Sequence, residues 1–337
     1  MLLLLIGFGT AARTSGQGPA FPARLASYFN SAGVLSAGER QQLLAGQPVT
    51  KLLASDASKE VAVLGAVWVD APMDRYIEAV TDIEAFERGG GFTVTKTISN
   101  PPRLEDFAAM KLPDEDLHDL EDCRVGDCEV KLGEQALQRF RSEVDWDSPT
   151  AHDAANNLMR QLSLRYVTGY LEGGNDRLAV YRDNSDPTFA AREFRAMVEG
   201  MPELADTMPN IRRYLLEYPK VTLPNTTSFL YWQETVFGMK PTIRISHLTI
   251  LEDPQGAVVA SKMLYASHYF WTGLEVRALV PDPARGAGFW FVMVNRARSD
   301  GLSGFTGMLV RRRVRRGVRD GALAALKLTR QRLEQPR

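Results

Sequence analysis

The run AVVASKMLYASHYFWTGLEVRALV, residues 257–280, decides how the chain is read. Its β-branched and aromatic side chains suit a pleated, buried surface, so it reads as strand. It is far longer than the mean strand of about 5–6 residues. It is therefore read as two strands or one sharply bent strand, with Gly273 as the bend or bulge. Alternation puts Leu264, Ala266, His268 and Phe270 on one face and Met263, Tyr265, Tyr269 and Trp271 on the other. Both sets are largely apolar, so both sides of the sheet are expected to be covered. A histidine in such a place must find a partner. It is either a hydrogen-bonded structural residue or a ligand-orienting or acid–base residue.

The same chemistry continues on both sides of this run. TSFLYWQETVFG (227–238) and TIRISHLTIL (242–251) precede it, and GFWFVMVNRARS (288–299) follows. The separators GMKP, EDPQG and PDPARGAG have turn composition. Closely spaced strands of this kind favour a curved antiparallel sheet. Ile243, Ile245, His247 and Leu251 share one face, which makes His247 a second buried polar candidate. Asn295, Arg296, Arg298 and Asp300 concentrate polar groups at the end of the last strand. Arg298 is suited to an anionic head group, or to an ion pair with Glu234 or Asp300.

Further upstream, EVAVLGAVWVDAP (60–72) is a strand with Val61, Val63, Val67 and Val69 on one parity. An amphipathic helix follows, with Tyr76, Ile77, Val80, Ile83 and Phe86 at helical spacing. Gly89, Gly90 and Gly91 stop it, and FTVTKTIS is the next strand. Residues 103–220 are mostly helical and strongly charged, with helices expected over 134–144, 151–171, 189–199 and 208–217. Residues 13–35, rich in Gly, Ser, Ala and Pro, read as a linker or mobile arm. Ser36 and Glu39 form a capping-box pattern at the start of a short helix. The chain ends in a long helix over about 305–334. Val310, Val314, Gly317, Val318, Gly321, Ala325 and Leu328 run along one side of it.

The formal net charge of −1 argues against a globally basic nucleic-acid binder. Positive charge is instead local. Arg311, Arg312, Arg315, Arg316 and Arg319 cluster on the terminal helix, where they are expected to meet an anionic membrane surface or the acidic run LPDEDLHDLED. The N-terminal Leu2–Phe8 run is followed by Thr10 and Ala12 at a spacing that suits cleavage of an export signal, although no basic residue precedes it. A periplasmic or extracellular location is expected, or a cytoplasmic one if this signal does not function. Cys123 and Cys128 are placed to form a local disulfide in such a compartment, and Gly126 supplies backbone freedom between them. His118 lies near them, but a fourth zinc ligand is not evident, so no metal is expected.

The order strand, helix, strand, a run of antiparallel strands and a long terminal helix resembles the bacterial and eukaryotic helix-grip superfamily, SRPBCC. That group includes START-like lipid-transfer domains and polyketide cyclases and dehydratases. The resemblance rests on VAVLGAVWVDAPMDRYIEAVTDIEAF and on the strand-plus-helix from Phe289 to Leu333. It implies an α+β fold in which a curved antiparallel sheet grips a long C-terminal helix. The block at about 103–220 is then an inserted helical subdomain. Residues 1–18 are the export signal, 19–58 an N-terminal arm with a short helix, and 59–337 the helix-grip domain. The resemblance also implies an internal cavity for a hydrophobic small molecule, lipid-like and without a cofactor. Tyr265, His268, Phe270 and Arg298 would line that cavity, and Gly317 and Gly321 would leave room beneath the helix.

No nucleophile elbow, zinc-protease motif, dinucleotide fingerprint or kinase set is present in the sequence. The expected function is binding or transfer of an apolar or amphipathic small molecule. The alternatives are a cyclase/dehydratase-type enzyme with His247 or His268 as general base, and a non-catalytic interaction protein.

Overall fold

A computed structural model describes residues 21–32, 35–89, 91–236, 240–302 and 304–335. The expected export signal lies outside these residues. One sheet organises the chain. Its eight strands are β1 (Val49–Leu52), β2 (Glu60–Val69), β3 (Phe92–Ile98), β6 (Thr226–Thr235), β7 (Thr242–Asp253), β8 (Gly256–Ala266), β9 (Phe270–Pro281) and β10 (Phe289–Ser299). The spatial order is β1-β2-β10-β9-β8-β7-β6-β3, antiparallel throughout. The sheet is curved, and the strands β4 (Val180–Tyr181) and β5 (Thr188–Phe189) form a separate small ribbon.

Each face of the sheet has its own core. Ala62, Leu64, Ala66 and Trp68 of β2 point to a helical layer, and Val63, Val67 and Val69 point to the opposite side. The helical layer contains α1 (Ala23–Ala32), α5 (Asp114–Asp122), α6 (Glu134–Glu143), α7 (Ala151–Gly173), α8 (Ala190–Glu199), α9 (Pro202–Thr207) and α10 (Pro209–Glu217). All but α1 lie between β3 and β6 in the chain. The other side is covered by α3 (Met73–Thr81), α4 (Ile83–Phe86) and α11 (Gly304–Glu334). The helix α2 (Ala37–Leu44) begins at Ser36, where the capping box is present in both directions.

Three local expectations are corrected. The first concerns the arm: Leu25, Tyr28 and Phe29 are buried in α1, which packs on α9. Their three- and four-residue spacing was masked by the small residues around them. The second concerns the long run, which breaks at Ser267–Tyr269 rather than at Gly273, so His268 sits in a turn between β8 and β9. Tyr269 takes φ +61° there. Ser267 fastens the turn: its N–H donates to the Ile243 carbonyl, and the Ile243 N–H donates to the Ser267 hydroxyl. The third concerns alternation, which is interrupted just before this turn. Ile245 faces Tyr265, but Ser246 faces Met263, so Leu264 is the extra residue of a bulge. Leu264 and Tyr265 consequently both reach the helical-layer core.

The C-terminal half of α11 is anchored by Ala322, Leu326 and Leu333, one turn to two turns apart. Gly65 on β2 permits the closest approach. A Cβ there would stand 3.0 Å from Leu326 Cδ1 and 3.1 Å from Met293 Cγ. Arg332 donates to the carbonyls of Phe86 and Arg88, and Arg330 to that of Gly46. Among the described residues, no helix is long and apolar enough to cross a membrane.

Candidate functional site

On the α11 side, the apolar face of the sheet is interrupted by one polar row. Ser261 on β8, Glu275 on β9 and Asn295 on β10 are register partners across three neighbouring strands. The next row carries Val259, Arg277 and Met293, and ends at Gly65 beneath Leu326. Antiparallel register therefore delivers these side chains from β8, β9 and β10 to one patch. Ser261, Glu275 and Asn295 keep partial exposure, whereas Arg277 is buried.

The patch is a connected set of charges and hydrogen bonds. Arg277 Nε contacts Glu275, and Asn295 Nδ2 donates to Glu275 Oε2 at 3.1 Å. Arg277 Nη1 donates to the Tyr76 hydroxyl at 3.0 Å. Tyr231 and Ser261 hydroxyls are 2.8 Å apart, and Arg244 reaches Gln233 at 3.5 Å. Burial pushes the Glu275 carboxyl up, but the Arg277 guanidinium more than offsets this and holds it below the ordinary range. Glu87, at the end of α4, is pushed up by burial against the weaker pull of Arg277. Two carboxyls around one guanidinium are thus displaced in opposite directions.

A groove of about 400 Å³ opens beside this patch, between α3–α4 and the end of α11. Arg75, Asp82, Phe86, Arg332 and Leu333 line it. Phe86 connects groove to patch: its ring lies 5.7 Å from Tyr76 and 5.8 Å from the Arg277 guanidinium. The groove falls within the usual volume of small-molecule sites, roughly 300–1,000 Å³.

The residues expected to line a cavity are not gathered there. His247 and Tyr265 face the helical layer, and His268 binds into it from its turn. His268 is held between Asp116 Oδ1 at 2.8 Å and the Glu129 carbonyl at 3.1 Å. His247 Nδ1 meets the Tyr170 hydroxyl at 2.9 Å, and burial together with the nearby Lys262 amine pushes its pKa down to about 3. Tyr265 packs near Tyr166 and Tyr181. Phe270 opens β9 half-buried, its ring 6.4 Å from that of Tyr269.

Arg298 is committed to protein carboxylates, Glu60 at 2.8 Å and Glu193 at 2.9 Å, rather than to Glu234 or Asp300. Arg296 joins the same buried network through Glu60 and Glu203. Asp300 instead binds Lys131 and Trp271. Gly317 and Gly321 are on the exposed side of α11, where an added Cβ meets nothing within 4 Å. The expectation that they make room beneath the helix is corrected. The buried seam is rotated from the expected stripe because Ala322 and Leu326, rather than Gly321 and Ala325, meet the sheet.

Cys123 and Cys128 form a disulfide. The acidic run meets Lys240 and His268: Lys240 lies 2.8 Å from Asp119 and 3.2 Å from Glu115, and Asp116 binds His268.

Sequence reasoning singled out Asn295 but missed Glu275, Arg277 and Ser261. A signal was available in Glu275 and Arg277. They share parity inside the otherwise apolar LEVRALV, where a solvent-facing row should also have been polar at Leu279. Lys262 was missed as well. It is buried opposite His247, with Tyr170 and Phe194 ring faces 4.9 and 4.4 Å from its amine. Its amine also contacts the Asn175 side-chain oxygen. No family model matches the chain, and no curated protein matches it.

Proposed function

We propose that the protein is an exported, divergent helix-grip protein that binds an amphipathic small molecule between the sheet and α11. The helices between β3 and β6 are then the insertion that closes the other face. The order β2-β10-β9-β8-β7-β6-β3, with α3–α4 after the first strand and α11 after the last, supports this reading. The disulfide fits an oxidising compartment.

The observation that carries the ligand reading is the partly exposed Ser261–Glu275–Asn295 row beside Arg277, set in an apolar face, with Phe86 linking Arg277 to the groove. Charges on such a face are costly to desolvate, and replacing them with well-packed apolar residues is often neutral or stabilising. A polar head group would be held by Asn295, Ser261 and the Glu275–Arg277 pair. An apolar body would shield itself against the surrounding aliphatic residues, at about 25 cal/mol per Å² removed from water. The site therefore belongs on the α11 face, away from His247 and His268.

The test is native mass spectrometry of the purified protein, followed by solvent extraction of what it carries. The expected result is a retained amphipathic molecule in the parent and a lower occupancy in Asn295→Leu, with unchanged melting. If Asn295→Leu retains the same molecule at the same occupancy, the polar row is not the head-group site. A parent that retains nothing and takes up no fluorescent fatty acid would favour a pure interaction role.

One observation favours the enzyme alternative. Carboxyls displaced in opposite directions are the usual arrangement for an acid and a base. Glu87, pushed up, and Glu275, held down, occupy those roles better than either buried histidine. Turnover of the extracted molecule by the parent, lost in Glu87→Gln, would select that reading.

A further inference from the structure

The two halves of α11 differ. All of its fully buried residues among those whose side chains are described, Ala322, Leu326 and Leu333, lie in the C-terminal half. From Leu309 to Gly321 every residue is exposed or half-exposed. Leu309, Arg312, Arg313, Arg316 and Arg319 are spaced by three and four residues, so they share one helical face. In this segment the half-buried positions are Arg311, Val314 and Val318, and the arginine face lies on another side of the helix. Leu309 is 69% exposed in the midst of the arginines, and Val310 is 44% exposed beside them. Large aliphatic side chains left in water beside a basic cluster have no role in holding this fold. The segment from Leu309 to Gly321 contains one acid, Asp320, which lies 3.4 Å from Arg319. The acidic α5 run is engaged with Lys240 and His268.

We propose that this outward face of α11 docks on the surface of an anionic lipid bilayer. The guanidinium groups of Arg312, Arg313, Arg316 and Arg319 bind lipid phosphates, for which their planar forks are suited. Leu309 and Val310 enter the head-group layer, as the apolar residues of interfacial helices do. A second copy of the chain is a poor occupant, because the same four arginines would confront one another. A nucleic acid would satisfy the arginines but leave Leu309 and Val310 in water. The charge is local on a chain whose net charge is −1, so docking orients the molecule with α11 toward the membrane. The proposal stands whether or not the α11 face of the sheet binds a ligand.

The experiment is co-sedimentation of the full chain with vesicles of phosphatidylcholine alone or mixed with phosphatidylglycerol, at low and high salt. The comparison is between the parent and the triple variant Arg312→Gln, Arg313→Gln, Arg316→Gln. These side chains are outward, so melting temperature should be unchanged. Each basic residue near an anionic surface contributes about fourfold to fivefold in partition, so removing three should weaken binding by about a hundredfold at low salt. High salt should remove most of the parent's preference for the anionic vesicles. Leu309→Ser with Val310→Ser should weaken binding to those vesicles severalfold without altering its salt dependence. Equal pelleting of parent and triple variant with anionic vesicles overturns the proposal. So does retention of duplex DNA in preference to anionic vesicles, which would assign the arginines to a polyanion instead.

Discussion

Lys262 offers the sharpest test of the buried chemistry. Its amine lies between the sheet and the helical layer, against Tyr170, Phe194, Asn175 and His247, with no carboxylate among these neighbours. Burial pushes its pKa from the ordinary 10.5 down to about 7. Each tenfold change in proton affinity is worth about 1.4 kcal/mol, so desolvation alone penalises the ammonium by about 5 kcal/mol. The faces of Tyr170 and Phe194 attract a cation and offset about 1–2 kcal/mol of that. A net penalty of about 3 kcal/mol remains.

The unfolded chain keeps this proton up to about pH 10.4. The folded chain releases it at a lower pH, because burial disfavours the ammonium. Between these values the unfolded state binds more protons, so stability rises with pH. The penalty is absent above the unfolded value and complete below the folded one. Lys262→Met should therefore show a pH-dependent difference from the parent. Near pH 10 the variant should be less stable by about 1–2 kcal/mol, because Tyr170 and Asn175 lose a donor. Near pH 6.5 it should be more stable than the parent by about 1–2 kcal/mol, since it lacks the buried charge. Urea unfolding of both proteins at several values from pH 6.5 to 10 measures this. His247 is neutral in the folded chain throughout this range, and its partial protonation in the unfolded chain near pH 6.5 is common to parent and variant. A difference that does not change with pH would refute the buried-amine account.

Other outcomes follow from packing and pairing. His268→Leu leaves Asp116 charged and buried, and should cost about 3–5 kcal/mol by denaturant unfolding. The double variant with Asp116→Leu should recover most of that loss. Gly65→Ala should cost about 1–3 kcal/mol and increase proteolysis of α11, because Leu326 and Met293 must move. Gly317→Ala with Gly321→Ala should raise the melting temperature, since each replacement favours the helix by about 1 kcal/mol and meets open space. Thiol counting on protein from its native compartment should find no free thiol, and Cys123→Ser with Cys128→Ser should cost about 2 kcal/mol for so short a loop.

Much of the sheet was legible because burial on two faces leaves a simple mark. Val63, Val67 and Val69 keep one parity, and their intervening neighbours Leu64, Ala66 and Trp68 are apolar as well. Ile243, Ile245 and His247 likewise share the helical-layer side with Tyr170 and Tyr214. Parity failed where geometry departed from regular pleating. The bulge at Leu264 moved Tyr265 to the other face, and the turn at Ser267–Tyr269 took His268 out of the strand. Neither event has a glycine or proline to announce it. The site was less legible because its members are joined by register. Ser261, Glu275 and Asn295 lie on three different strands and meet only when β8, β9 and β10 align. Gly317 and Gly321 misled for a related reason, since small residues on a helix are consistent with close packing and with full exposure alike.

Charge is buried on both faces of the sheet, and the difference between the two decides where a ligand belongs. On the helical side, Arg296 and Arg298 pair with Glu60, Glu203 and Glu193, Lys131 with Asp183 and Asp300, and His268 with Asp116. Several elements converge on each of these groups, and removing any one partner strands a charge. Such networks lock helices to a sheet. On the α11 side, Glu275 and Arg277 satisfy one another largely within one strand, two residues apart. That pair hydrogen-bonds Tyr76 and Asn295 and meets the Phe86 ring, and its polar row stays partly exposed. A network that fastens the fold is expected to be closed on itself. A charged pair that fastens little and interrupts an otherwise apolar face is better placed to meet a ligand. The same reasoning separates the two halves of α11. The half that packs most deeply uses Ala322, Leu326 and Leu333, and the half that bears the arginines sends the half-buried Val318 to the same core.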